Sequence, residues 1–113
     1  MYSVTLEQGD YDSAKQAILK AINLNPQVPD LWNKYIGLTL ERLNGAPSEI
    51  EGLYKEALLK TKNNPDILVQ YGQFLEKQGK IKEAIIQWQE ALKQQPNNTD
   101  YQKEVKRLQA IKN

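Results

Sequence analysis

The 113-residue sequence contains no cysteine and no histidine. Without cysteine, disulfides, thiol redox chemistry and cysteine metal sites are excluded. Without histidine, the commonest general base and the commonest metal ligand are gone. A catalytic triad, a zinc site of the usual kind and a histidine proton shuttle therefore cannot be built from this chain. Long hydrophobic runs are also missing. No stretch approaches the roughly 18 apolar residues of a membrane span. Nor is there an excess of charge: 15 Lys and Arg face 14 Asp and Glu, a net charge of +1. That balance argues against a nucleic-acid binder built on a broad basic field. The first seven residues, Met1-Tyr2-Ser3-Val4-Thr5-Leu6-Glu7, lack the basic and apolar regions of a signal peptide. The chain reads as soluble and fits cytoplasm or periplasm equally.

What is present is a globular composition, 40% hydrophobic and 26% charged, of a size that predicts one domain with a thin core. An internal repeat organises it. Ala21, Ala57 and Ala91 end similar segments, spaced 36 and 34 residues apart. Gly9 precedes Ala14 by the same interval as Gly79 precedes Ala84. Pro26 follows Ala21 as Pro96 follows Ala91. The punctuation predicts six helices and no strand. The first is N-capped by Asp10, runs to about Leu24 and is stopped by Asn25-Pro26. The second opens at Pro29 and runs to about Leu43, with Asn44-Gly45 as its C-terminal stop. The third opens at Pro47 and ends near Lys60. The fourth follows Asn64-Pro65, runs to Gln78 and ends at Gly79. The fifth spans about Ile81 to Gln94. The last is capped by Asn98 or Thr99 and runs to about Ile111. Short turns between them predict antiparallel hairpins.

In this arrangement the sequence resembles a tetratricopeptide repeat protein. Residues 65–98 follow the family pattern without a gap, through Leu68, Tyr71, Gly72, Leu75, Ala84, Trp88, Ala91 and Pro96. Residues 29–64 follow it with a two-residue insertion in Asn44–Glu49, through Trp32, Tyr35, Thr39, Tyr54 and Ala57. This repeat departs from the pattern where Ile50 stands for Ala and Lys62 for Pro. Residues 1–28 supply only part of a first repeat: Gly9, Ala14, Ile18, Ala21 and Pro26. Residues 99–113 resemble the capping helix of such arrays. The resemblance implies an all-α superhelix of antiparallel helix hairpins with a C-terminal capping helix. Because a repeat cannot bury its face without a neighbour, part of Ala14, Ile18 or Leu19 should stay uncovered. Either Met1 is the start of a fragment of a longer array, or a second copy covers that face.

Other residue patterns read as structure. The carboxylates Glu49, Glu51, Glu83 and Glu90 fall on outer faces and form no acid/base constellation. No phosphate loop or ligand cluster exists, so neither enzymatic activity nor a cofactor or metal is expected. Trp32, Trp88, Tyr35, Tyr54 and Tyr71 occupy repeat core positions and read as packing rather than as an aromatic cage. Lys77-Gln78-Gly79-Lys80-Ile81-Lys82 reads as a solvated turn rather than a nucleic-acid patch. In the last helix, Tyr101, Val105, Leu108 and Ile111 form an apolar stripe. The stripe reads as the cap of the preceding repeat rather than a membrane-surface face.

The resemblance further implies a concave groove lined by the leading helix of each repeat, where a protein partner, as a peptide or helix, binds. Carried over, the facing residues are Asp30, Asn33, Lys34, Gly37 and Leu40 in one repeat. In the next they are Asp66, Val69, Gln70, Gln73 and Glu76, with Lys103 and Arg107 on the capping helix. Of these, Asn33, Lys34, Gly37, Leu40, Val69, Gln70, Gln73, Lys103 and Arg107 are the expected contact residues. Gly37 serves either close approach of a partner or tight helix packing. The Lys, Asn and Arg clamp with which some members hold a terminal carboxylate is incomplete in every register, so chaperone-tail binding is not expected. The expected function is a non-catalytic interaction scaffold. Alternatives are a self-associating scaffold that pairs through the incomplete first repeat, or an accessory domain of a larger enzyme or membrane-complex assembly factor. Nucleic acid and direct membrane insertion are not expected.

Overall fold

The computed structural model of the chain describes residues 8–41 and 46–112. They form six α-helices: α1 Gln8–Leu24, α2 Pro29–Glu41, α3 Pro47–Lys60, α4 Pro65–Lys77, α5 Ile81–Gln94 and α6 Thr99–Lys112. No strand occurs among the described residues. The chain divides into two compact units, residues 1–62 and 63–113.

The helix boundaries follow the punctuation closely. Asn64 caps α4: its Oδ1 accepts from the backbone N–H of Asp66 at 2.9 Å and of Ile67 at 3.4 Å, satisfying donors that the first turn leaves free. Pro65 follows at the first helical position, where its missing N–H costs nothing. At the other end, Gly79 adopts φ +80°. The N–H of Lys80 reaches the Leu75 carbonyl and that of Gly79 the Glu76 carbonyl, both at 2.9 Å. This is the Schellman closure, and its left-handed residue favours glycine. Asn98 rather than Thr99 caps α6, its Oδ1 accepting from the Tyr101 N–H at 3.0 Å. Asp10 proves to lie inside α1 rather than to cap it. Helix α2 is described to Glu41 rather than Leu43, and the expected Asn44-Gly45 stop lies outside the described residues.

In the first unit α1 packs on α2 and α2 on α3. Its buried residues are Ile22, Trp32, Tyr35, Ile36, Thr39, Ile50, Tyr54, Ala57 and Leu58. Ile50, where the repeat pattern has Ala, is completely buried, so the position stays core with a larger side chain. Trp32 donates its indole N–H to the Pro26 carbonyl at 2.7 Å, tying α2 to the preceding turn. Buried Thr39 donates back to the Tyr35 carbonyl at 2.9 Å. Ala14, Ile18 and Leu19 are each half-buried.

In the second unit α4 packs on α5 and α5 on α6. Ile67, Leu75, Ala84, Ala91 and Leu108 are completely buried. Trp88 lies at the centre. Its ring meets Tyr101 edge-on, with centroids 5.7 Å apart, a favoured aromatic geometry. The four residues of the predicted capping stripe divide: Val105 and Leu108 are buried and Tyr101 half-buried, whereas Ile111 is 53% exposed. Ile111 thus falls outside the capping contact, close to the last described turn of α6.

The turn after α3 carries two left-handed residues, Lys62 at φ 57° and Asn63 at φ 58°. Proline is locked near φ −65°. The place where this repeat has Lys62 instead of the pattern's Pro is therefore one where proline cannot sit.

Candidate functional site

The expected contact residues fall on α2 in the first unit and on α4 and α6 in the second. On α2, Asn33 is half-buried, and its Oδ1 is shut off from solvent with no hydrogen-bond partner among the described residues. Lys34 is exposed and pairs loosely with Asp30, one turn earlier, at 3.7 Å. A surface pair of this kind contributes about 0–1 kcal/mol. Gly37 is half-buried, yet a Cβ built on it would meet nothing within 4 Å among the described residues. Leu40 is exposed.

In the second unit, Val69 and Gln70 are half-buried and Gln73 exposed along α4. A surface depression of about 490 Å³ is lined by Gln73, Glu76, Lys77, Glu104 and Arg107. The structure therefore brings Gln73 and Arg107 together. Lys103 is exposed on α6 but does not line the depression. Arg107 is already engaged. Its guanidinium donates to both oxygens of Glu76, at 2.8 and 2.9 Å, and to Glu104 at 2.7 and 3.0 Å. The hydrogen bond from Arg107 holds the Glu76 carboxyl below the usual carboxylate range, and the pair of carboxylates raises the Arg107 pKa further. The two-pronged Arg–carboxylate geometry makes this the best-directed ion pair among those described.

The residues that sequence reasoning left out here are Glu104 and Lys77. Glu104 carried a signal, standing three residues before Arg107 on one helix face. The pairing of Glu76 with Arg107 had none, because it spans α4 and α6. The five aromatic core candidates are all buried, Trp32 and Trp88 included, which supports the packing reading over a ligand cage. Gln78, Gly79, Lys80 and Lys82 are exposed at the α4–α5 turn. Among the described residues no group of three or more Asp and Glu is placed to hold a metal ion. No helix there is long and apolar enough to cross a membrane.

Comparison with known proteins identifies the same repeat family. Residues 39–98 match the family of YpiA-like, C-terminal tetratricopeptide repeats, and residues 4–28 match a tetratricopeptide repeat model. No protein with a curated description matches the sequence. Among solved structures, the chain is similar to TTC0263, a thermophilic tetratricopeptide repeat protein of Thermus thermophilus. The TM-score is 0.71 at 22% identity, covering 90% of this chain and 51% of that one. This chain thus spans about half the length of the Thermus protein. It is also similar to the first tetratricopeptide domain of Spaghetti (RPAP3), solved with the HSP90 peptide SRMEEVD. There the TM-score is 0.68 at 20% identity, covering 98% of this chain and 87% of that one. Half of the chain matches one repeat family, and its described helices take that family's all-α fold. The chain belongs to the tetratricopeptide repeat family, whose fold generally serves protein interaction rather than catalysis.

Proposed function

We propose that this chain is a non-catalytic scaffold that takes a protein partner on the leading-helix faces of its repeats, the groove that the family resemblance implies. The observation that carries the proposal is the polar depression lined by Gln73 and Arg107. It falls at positions that the repeat register assigns to partner contact. Its side-chain amide and flanking charges suit hydrogen bonding to a peptide. The Spaghetti domain is solved with an acidic peptide. Here Arg107 is held by Glu76 and Glu104, and the carboxylate clamp is incomplete. A terminal carboxylate is therefore a poor ligand for this face.

The test uses linear peptides enriched from a random displayed library against the whole chain. Their affinity is then measured for the wild type and for the double variant Gln73→Ala, Lys103→Glu. A loss of about tenfold or more, some 1.4 kcal/mol, supports the leading-helix site. Equal binding by both proteins moves the site elsewhere.

A second reading, self-association, is favoured by one feature of α1. Gln16, Leu19, Lys20 and Asn23 line a depression of about 460 Å³, next to the strongly exposed Leu24. Light scattering across a concentration range decides it: a constant monomer mass removes this reading.

A further inference from the structure

Among the described residues of the second unit, two large apolar side chains stay exposed, Ile86 and Ile111, each at 53%. They do not stand alone. Ile111 and residues 79–83 line a depression of about 470 Å³ at the start of α5. Lys82, Ile85, Ile86, Gln89 and Gln109 line a second, of about 260 Å³. Lys82 belongs to both, so the two form one trough along α5 where it meets the last turns of α6. No residue of the leading helix α4 lines it. Half-buried Ile81 and buried Ile85 are its recessed apolar part. Its rim is basic. Lys80 and Lys82 line it, and exposed Lys106 stands one turn before Gln109 on the same side of α6. Glu83 is the one carboxylate among the lining residues. Lys82 and Lys106 enter no ion pair among the described residues.

We infer that this trough is a second docking surface, which takes an acidic amphipathic helix of a partner protein. Apolar residues of that helix cover Ile86 and Ile111, and its carboxylates sit beside Lys82 and Lys106. The surface is independent of the leading-helix site proposed above. Charge selects the partner: an apolar centre with cations at its edge complements an apolar stripe flanked by Asp and Glu. Backbone chemistry selects a helix. The main-chain groups of α5 and α6 are spent within those helices, so an extended ligand would find few partners for its own, whereas a helix satisfies its own. Size agrees. Ile81 to Gln89 spans about 12 Å along α5, some two turns, which a helix matches with anchors at i, i+3 or i+4, and i+7. Pairing this face with itself in a second copy would set lysine against lysine. A flat bilayer would touch Ile86 and Ile111 but not the recessed Ile81 and Ile85.

The experiment selects a displayed library of helix-favouring peptides, randomised on one face, against the whole chain. The enriched peptides are expected to carry Asp or Glu beside apolar residues and to bind more weakly as salt is raised. Ile86→Ala and Lys82→Glu are each expected to weaken the best peptide about tenfold or more. Exchanging one peptide Glu for Lys should restore binding to the Lys82→Glu protein. Leu59→Ala and Lys55→Glu, the same kinds of change on exposed α3 positions, should leave binding unchanged, as should Gln73→Ala. Basic or neutral enriched peptides, or indifference to Ile86→Ala and Lys82→Glu, overturn the inference, as does a failure to enrich any peptide. Two further outcomes overturn it by naming another occupant. One is binding to phosphatidylglycerol vesicles, without peptide binding, that both variants abolish. The other is a dimer that Ile86→Ala splits. Peptides lost with Gln73→Ala but kept by Ile86→Ala remove this surface and leave the leading-helix reading standing.

Discussion

A Cβ added to Gly72 would lie 2.8 Å from Nε1 and 2.9 Å from Cδ1 of Trp88. The two residues are the small and large halves of one contact, α4 against α5. Gly72→Ala forces the indole to move, and overpacking of this kind costs about 1–3 kcal/mol. It exceeds the gain of up to about 1 kcal/mol in helix propensity. Gly37→Ala has the same propensity gain and no clash, so it should stabilise by up to about 1 kcal/mol. Urea denaturation of the two variants beside the wild type should give opposite signs.

The Glu76–Arg107 pair makes one part of the stability acid-sensitive. Because Arg107 lowers the folded-state pKa of Glu76 from its usual 4.5, this contribution is complete above that value. It is lost as the pH falls through the lower folded value. Glu76→Gln should cost about 0.2–1 kcal/mol at neutral pH. The gap to the wild type should close below about pH 4.5, as thermal melts in an acid series would record. A gap that stays constant into strong acid would disprove the coupling.

At the alkaline end Tyr54 sets the slope. Burial pushes its hydroxyl up from 10.0 to about 12. A raised folded-state value means that the stabilisation is full below pH 10 and lost as the pH climbs towards 12. Tyr101 is also raised, by burial first and by the charge of Asp66 second, so the comparison must be made against Tyr54→Phe. The variant should show a flatter stability curve above pH 10.

Restoring the family's proline should do harm. Lys62 stands at φ 57°, a value proline cannot reach, so Lys62→Pro should destabilise by more than about 1 kcal/mol. Lys62→Gly, which relieves the left-handed strain, should instead be neutral or stabilising. Guanidinium midpoints for the pair check both directions.

Most of the architecture was legible because its signals are local. Pro29, Pro47 and Pro65 begin helices, Gly79 ends one, and Asn64 and Asn98 cap two, each acting within a few residues. The apolar period then selected buried faces, and the family pattern took in both Gly72 and Trp88, whose contact only the structure shows. The misreadings fall where local signals compete. Asp10 is a good cap but sits within α1, and Ile111 continues an apolar stripe past the surface that buries it. Of the candidate site, the helix faces were legible and their electrostatics were not. The pairing of Arg107 with Glu76 cannot be read from the sequence, because the two residues stand 31 apart on different helices. The orphaned Oδ1 of Asn33 is equally invisible, since burial of one atom depends on everything packed around it.

The two tryptophans fall one to each unit: Trp32 in residues 1–62 and Trp88 in residues 63–113. Their indole nitrogens differ as well, Trp32 bonded to the Pro26 carbonyl and Trp88 without a partner among the described residues. Each half of the chain thus carries its own intrinsic fluorophore in its own polarity. With Trp32→Phe the emission reports residues 63–113 alone, and with Trp88→Phe it reports residues 1–62. Coincident melting of the two signals would mark a single cooperative transition. Separated melting would measure how weakly neighbouring repeats are coupled along the array.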